Sequence, residues 1–230
     1  MSRPPVIAID GPVAAGKSTI ARLLARRLGY FCLDTGLLYR ALTWKALEER
    51  VDLADSEALA SLARDFNVRL SPPSVNDGRL NDVVVDGRNV STALRSPEVE
   101  ANVSTVSAYP AVRAALVELQ RAAVRAPGTI VAGRDIGTVI FPDADFKVYL
   151  EANPEERARR RLLERGARSE AGLVETLREI QERDRLDSTR AAAPLRRPLD
   201  ALVIDTDEVP LERVVQRIIE VYEARRASDA

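Results

Sequence analysis

Residues Gly11-Pro12-Val13-Ala14-Ala15-Gly16-Lys17-Ser18-Thr19 complete the spacing G-x-x-x-x-G-K-[ST]. They lie between an apolar run, Val6-Ile7-Ala8-Ile9, and a helically spaced one, Ile20-Ala21-Arg22-Leu23-Leu24-Ala25. A strand, a glycine-rich turn and a helix in that order leave few folds open. The turn aims successive backbone N–H groups at one oxyanion, and the helix adds the positive end of its dipole. In such a cradle Lys17 reaches the β- and γ-phosphates, and the Ser18 hydroxyl is placed to ligate Mg²⁺. Gly11 and Gly16 could turn a loop without a ligand. With strand and helix in register on either side, residues 11–19 are expected to bind a nucleoside triphosphate.

A chain of 230 residues can bury the core of one α/β domain carrying a small insert. Thirty-four basic against 35 acidic residues leave a net charge of −1, which argues against nucleic-acid binding driven by bulk electrostatics. Lys17, Lys45 and Lys147 are the only lysines, so nearly all positive charge is arginine, the side chain whose planar fork grips phosphate best. Histidine is absent, which excludes imidazole bases and histidine metal sites. The single cysteine, Cys32, follows Phe31 in an apolar stretch and reads as a small core residue in a reducing compartment. No apolar run reaches ~18 residues and no basic-then-apolar leader is present. The expectation is a soluble, cytoplasmic, monomeric protein with no membrane or stable nucleic-acid partner.

Short apolar runs alternate with long amphipathic stretches, the pattern of a parallel sheet wrapped by helices. Strands are predicted at Val6–Ile9, Tyr30–Leu33, Thr129–Ala132, Lys147–Leu150 and Ala201–Ile204. Helices are predicted at Lys17–Leu28, Gly36–Glu49, Ala111–Arg125, Pro154–Arg165, Leu173–Asp187 and Pro210–Arg225, with Pro154 and Pro210 in first turns. Between Asn67 and Val90 the rhythm breaks. Val68-Arg69-Leu70 alternates, Ser71-Pro72-Pro73 interrupts, and Val83-Val84-Val85 follows the turn signal Asn76-Asp77-Gly78 and precedes Asp86-Gly87. This predicts a small antiparallel insert at 67–90 in a core formed by 1–66 and 91–230.

Such loops serve GTPase switches, motor ATPases and small-molecule kinases. The chain has no guanine-reading N-K-x-D, and Ile130-Val131-Ala132 runs into Gly133-Arg134-Asp135 rather than into a metal-holding acidic residue. Transfer to an alcohol calls for a carboxylate base. Transfer to a phosphate does not, and its obstacle is repulsion between anions, for which clustered arginines are the remedy. Arg40, Arg134, Arg157 to Arg161, and Arg183 supply them, although Asp34 or Asp135 could in principle serve as a base.

Four blocks carry a resemblance: Ile9-Asp10-Gly11-Pro12 with the loop; Leu33-Asp34-Thr35-Gly36 with Leu38-Tyr39-Arg40; Ala132-Gly133-Arg134-Asp135-Ile136-Gly137-Thr138 with Phe141-Pro142-Asp143-Ala144; and Glu182-Arg183-Asp184 through Asp187 and Arg190 to Ala193-Pro194-Leu195. In order and spacing they are similar to the bacterial cytidylate kinases, a branch of the nucleoside monophosphate kinases. The resemblance implies a P-loop NTPase-type three-layer α/β fold with a five-stranded parallel sheet, the small insert on the acceptor side, and a helical lid at about 155–170. It also implies transfer from ATP to CMP and dCMP, with Mg²⁺ as cofactor and Ser18 as its protein ligand. By position, Thr35 and Arg40 would hold the acceptor phosphate, and Ser104, Arg113 and Asp135 would surround cytosine. Arg134 and Arg183 would contact phosphates, and Asp187 and Arg190 would lie near the ribose. Of the stretch Arg157–Arg168, which corresponds to the lid, Arg157 and Arg161 lie four apart on one face and are expected to act in catalysis with Lys17, Arg134 and Arg183. Asp34 and Asp135 could instead simply cap the helices that follow them. Two rival expectations are a kinase for another acceptor, such as UMP, and an RNA-binding module with a vestigial loop, which 4% aromatic content disfavours.

Overall fold

The computed structural model describes residues 3–166, 169–207 and 209–228. Five parallel strands, β1 (Val6–Asp10), β2 (Phe31–Asp34), β6 (Thr129–Ala132), β7 (Phe146–Glu151) and β8 (Leu202–Asp205), form one sheet in the order β2-β6-β1-β7-β8. Strand β1 lies at the centre, paired to β6 and β7, and every one of its residues is buried. Its alternate side chains feed two cores, as the period of a strand requires. Val6 and Ala8 join the core under α2 (Gly36–Glu48), α3 (Ser56–Arg64), α4 (Pro97–Ala108) and α5 (Pro110–Ala122). Ile7 and Ile9 join the core under α1 (Lys17–Leu28) and α8 (Leu211–Ser228).

The expected P-loop-type α/β fold, with its five strands and six helices, is observed. Helices α3 and α4 were not expected. Helix α3 is nine residues long and is capped by Asp55, whose carboxylate accepts from the N–H groups of Glu57 and Ala58. Helix α4 starts at Ser96, whose hydroxyl accepts from Val99 N, with Pro97 in the first turn. Helix α8 begins at Leu211, so Pro210 sits just outside it rather than in the first turn as predicted. The chain after β6 also departs from expectation, forming a π-type turn over Ile136–Ile140.

The insert contains β3 (Val68–Ser71), β4 (Asp82–Val85) and β5 (Arg88–Asn89), all antiparallel. Asp86-Gly87 makes the β4–β5 hairpin with φ of 48° and 80°, whereas Asn76-Asp77-Gly78 lies in the longer β3–β4 connection. Leu70, Val83, Val85 and Val90 share one core with Leu33 and Leu42, so the small sheet is docked on the α2 side. Asn81 reinforces the docking: its amide donates to Cys32 O at 2.7 Å and accepts from Asp34 N at 3.2 Å.

On the other side of the cleft lie α6 (Pro154–Glu164), capped by Asn153, and α7 (Glu170–Thr189), capped by Ser169. Ala167 and Arg168, at the end of the expected lid, fall outside the described residues. No helix among the described residues is long and apolar enough to cross a membrane.

Candidate active site

The strands all point their C-terminal ends at one cleft, where loops after β1, β2 and β6 meet helices α4, α6 and α7. The β1–α1 loop has φ of 151° at Gly11, 58° at Ala14 and 84° at Gly16. A Cβ at Gly11 would collide with the carbonyl oxygen of Leu150, so the loop can pass there only as glycine. Gly16 is the N-cap of α1 and supplies no side chain, which leaves the first N–H groups of the helix for a ligand. Lys17 Nζ folds back onto the loop, donating to Gly11 O at 2.8 Å and to Pro12 O. Burial, and then Arg134, push its pKa well below the usual lysine value, against Asp34, Asp187 and Asp10. An arriving polyanion would reverse that balance. Ser18 Oγ donates to Asp34 Oδ2 at 3.1 Å, and Asp34 Oδ1 accepts from Gly36 N at 3.0 Å.

Opposite Lys17, four arginines line the cleft: Arg40 from α2, Arg134 after β6, Arg161 from α6 and Arg183 from α7. Arg134 Nε donates to Asp187 Oδ2 at 2.9 Å. Arg40 Nη1 donates to Leu94 O at 3.2 Å. Arg183 is different: its Nε has no hydrogen-bond partner, and burial, reinforced by Arg134, Arg40 and Arg161, lowers its pKa to about 10 despite Asp187. Burial is the larger cause, and the neighbouring arginines add to it.

The third wall is a carboxylate–guanidinium network. Arg113 Nη2 donates to Asp135 Oδ2 at 2.5 Å and Nη1 to Ser107 O at 3.1 Å, with the guanidinium 5.1 Å above the Tyr39 ring. Arg190 lies 3.6 Å from Asp135 Oδ1 and donates to Asp187 Oδ1 at 3.4 Å. Arg113 Nε and Arg190 Nη2 are buried without hydrogen-bond partners. Asp135 precedes the Ile136–Ile140 turn but its side chain does not cap it. That task falls to Asp10, which accepts from Ile136 N at 2.8 Å and Gly137 N at 2.7 Å. Burial raises the Asp10 carboxyl to about 6, and those two N–H groups hold it from rising further.

The cytidylate kinase family model matches residues 7–224. The chain belongs to the cytidylate kinase family. A cytidylate kinase from Pelotomaculum thermopropionicum is 49% identical over 226 residues, 96% of this chain and 97% of that protein. A bifunctional pantoate ligase/cytidylate kinase from a Synechococcus strain is 45% identical, matching 98% of this chain within 45% of its own length. Among solved structures, an uncharacterized protein from Eubacterium ventriosum shares the fold at a TM-score of 0.52 and 11% identity, covering 95% of this chain and 98% of that chain. This kinase is therefore an enzyme of the nucleoside monophosphate kinase class.

Of the residues singled out in the kinase sequence, Val13, Ala14 and Gly16 to Thr19 line the cleft with Thr35, Arg40, Arg113, Arg134, Asp135, Arg161, Arg183, Asp187 and Arg190. Gly11, Pro12 and Ala15 shape the loop from behind. Thr35 Oγ1 donates to Ala132 O at 3.1 Å. Two residues lie elsewhere. Ser104 is not in the lining; one turn on, Ser107 is. Arg157 is buried, with Nε on Ala152 O at 2.9 Å and Nη1 on Val13 O and Asp184 Oδ2 at 3.2 and 2.7 Å. It fastens α6 to the phosphate loop and to α7, while Arg161 faces the cleft. Arg159 and Arg160 pair with Glu156, and Arg160 also with Thr206. The sequence reading missed Asp10 as the holder of the Ile136–Ile140 turn that follows Arg134 and Asp135. The visible signal was a carboxylate closing an otherwise apolar strand at the entrance to the loop.

Proposed function

We propose that this kinase transfers the γ-phosphoryl group of ATP to CMP, and to dCMP, by direct in-line displacement assisted by Mg²⁺. The observation that carries this reading is Arg183, a largely buried cation with an unpaired Nε among three further arginines and Lys17. The missing counter-charge is that of two phosphate groups brought together. An acceptor phosphate is already ionised at neutral pH and needs no base. What it needs is relief of anion–anion repulsion and fixed alignment, which rigid guanidiniums provide without reorganising.

In this reading residues 11–19 and Lys17 hold the ATP phosphates, while Thr35 and Arg40 hold the acceptor phosphate. Arg134, Arg161 and Arg183 stabilise the charge at the transfer point. Asp187 and Arg190 flank the ribose. Asp135 Oδ1 accepts from N4 of cytosine, and Arg113 donates to N3. Ser18 Oγ and Asp34 Oδ2 are hard oxygen donors side by side at the loop, and they suit Mg²⁺. Among the described residues no group of three or more His, Cys, Asp or Glu side chains is gathered, so the ion would take its other ligands from phosphate and water. When bound, Mg²⁺ would neutralise β- and γ-phosphate oxygens.

The test is ADP formation from ATP against CMP, dCMP, UMP, AMP and GMP. CMP and dCMP should be turned over most efficiently. A clear preference for any other acceptor sinks the proposal.

A further inference from the structure

Glu100 of α4 is absent from the motifs that mark the cleft, yet its carboxylate stands between two of the cleft arginines. Oε1 and Oε2 accept from Arg161 Nη2 at 2.9 and 3.1 Å, and Oε1 lies 3.6 Å from Arg40 Nη1. Arg161 comes from α6 and Arg40 from α2, so one carboxylate ties the donor-side helix to the acceptor-side helix. A second carboxylate, Glu164, takes Arg161 Nη1 at 3.3 Å. Burial works to raise the Glu100 carboxyl, but Arg161 and Arg40, with Arg165 beyond, hold it below the ordinary glutamate range. Glu100 is therefore ionised at neutral pH. The three side chains are 30%, 24% and 18% exposed, dry enough for the pairing to matter and wet enough for it to exchange.

We propose that Glu100 is a positioning residue that stands in for substrate phosphate, holding Arg161 and Arg40 in the empty cleft and releasing them when nucleotide phosphates arrive. The inference rests on the phosphoryl-transfer reading above. A phosphate group offers more charge and more acceptor oxygens to a guanidinium fork than a carboxylate does, so exchange runs toward the nucleotide. The contact that Glu100 loses is subtracted from the binding free energy of the nucleotide. Glu100 therefore sets how tightly phosphates bind, and leaves the chemical step to the arginines themselves. Arg183 has no such internal partner on its Nε, which distinguishes the cations that wait unpaired from those held in reserve.

Glu100→Gln keeps the shape and one acceptor oxygen while removing the charge. The test measures inorganic tripolyphosphate binding by calorimetry on the full chain, together with KM and kcat for ATP and CMP. Tripolyphosphate should bind about three- to tenfold more tightly to Glu100→Gln than to wild type, the scale of one partly exposed ion pair. KM for both nucleotides should fall by a similar factor, with kcat within about twofold. Glu100→Ala, which removes the carboxylate altogether, should shift binding in the same direction and serves if the Gln variant folds poorly. Unchanged or weaker tripolyphosphate binding, or KM values at or above wild type, overturns the proposal. A wild-type protein that neither binds tripolyphosphate nor phosphorylates CMP overturns the phosphoryl-transfer reading. One that does both, while neither variant gains affinity, overturns this inference alone.

Discussion

Arg113 and Asp135 form a buried pair, Nη2 to Oδ2 at 2.5 Å, and Arg190 approaches the other carboxylate oxygen, Oδ1, to 3.6 Å. Cytosine offers an N4 donor and a bare N3 acceptor; uracil reverses both. Asp135→Asn keeps the side chain's shape but replaces one acceptor with a donor, which suits O4 of uracil. The ratio of kcat/KM for CMP over UMP should fall by at least about tenfold, because mismatched polar contacts in a closed pocket discriminate strongly. Folded Asp135→Asn protein with an unchanged ratio would show that Asp135 does not read the base.

Lys17→Ala removes the amine that the loop carbonyls of Gly11 and Pro12 hold beside the phosphate site. Its loss should lower kcat about 10²–10³-fold, the scale of one preorganised electrostatic contact. The fold should stay intact, since Nζ bonds only to the loop carbonyls of Gly11 and Pro12. Retention of more than about a tenth of wild-type kcat would remove Lys17 from the transfer step.

How legible these residues were depended on how local their partners are. Strand β1 is buried on both faces, so Val6–Ile9 reads as an unbroken apolar run, as central parallel strands do. Helix α4 was legible but passed over: Ser96 and Pro97 mark its start, and Val99, Val103 and Val106 stand at i, i+4 and i+7. Arg157 and Arg161 share a helix face, but a turn of α6 separates them by ~6 Å, enough for one to meet the Val13 carbonyl and the other the open cleft. The same one-turn ambiguity divides Ser104 from Ser107. Asp10 and Glu100 act on groups 126 and 61 residues away, and no spacing rule along one chain reaches so far.

Asp10 gives stability a definite pH dependence. Its folded pKa of about 6 lies above the ordinary 3.8, so the folded state binds this proton more tightly than the unfolded state does. The stabilisation is fully present below pH 3.8 and is lost as pH rises through about 6. Two units correspond to about 3 kcal/mol. In denaturant titrations of the nucleotide-free protein, wild type should gain stability relative to Asp10→Asn as pH falls from 7 to 4. A difference that stays flat with pH would show that Asp10 does not titrate in this window.

Arg157→Ala should destabilise the protein by ~3 kcal/mol, the lower end for breaking a buried pair, because Asp184 is left without the guanidinium and is itself partly exposed. Arg161→Ala, on the same helix but in the cleft, should cost under ~1 kcal/mol while damaging kcat/KM more. Equal effects of the two substitutions on melting temperature would mean that Arg157 is not the residue fastening α6.

Asn81 leaves one more mark on the kinase. Strand β2 ends the parallel sheet, and an end strand ordinarily offers its outward N–H and C=O groups to water or to another chain. Here a single side-chain amide covers one of each, Cys32 O and Asp34 N, as a neighbouring strand would. The Asp34 amide proton should therefore exchange with deuterium as slowly as one inside the sheet. Loosening the insert alone should speed it, making that one proton a reporter of whether the small sheet is seated.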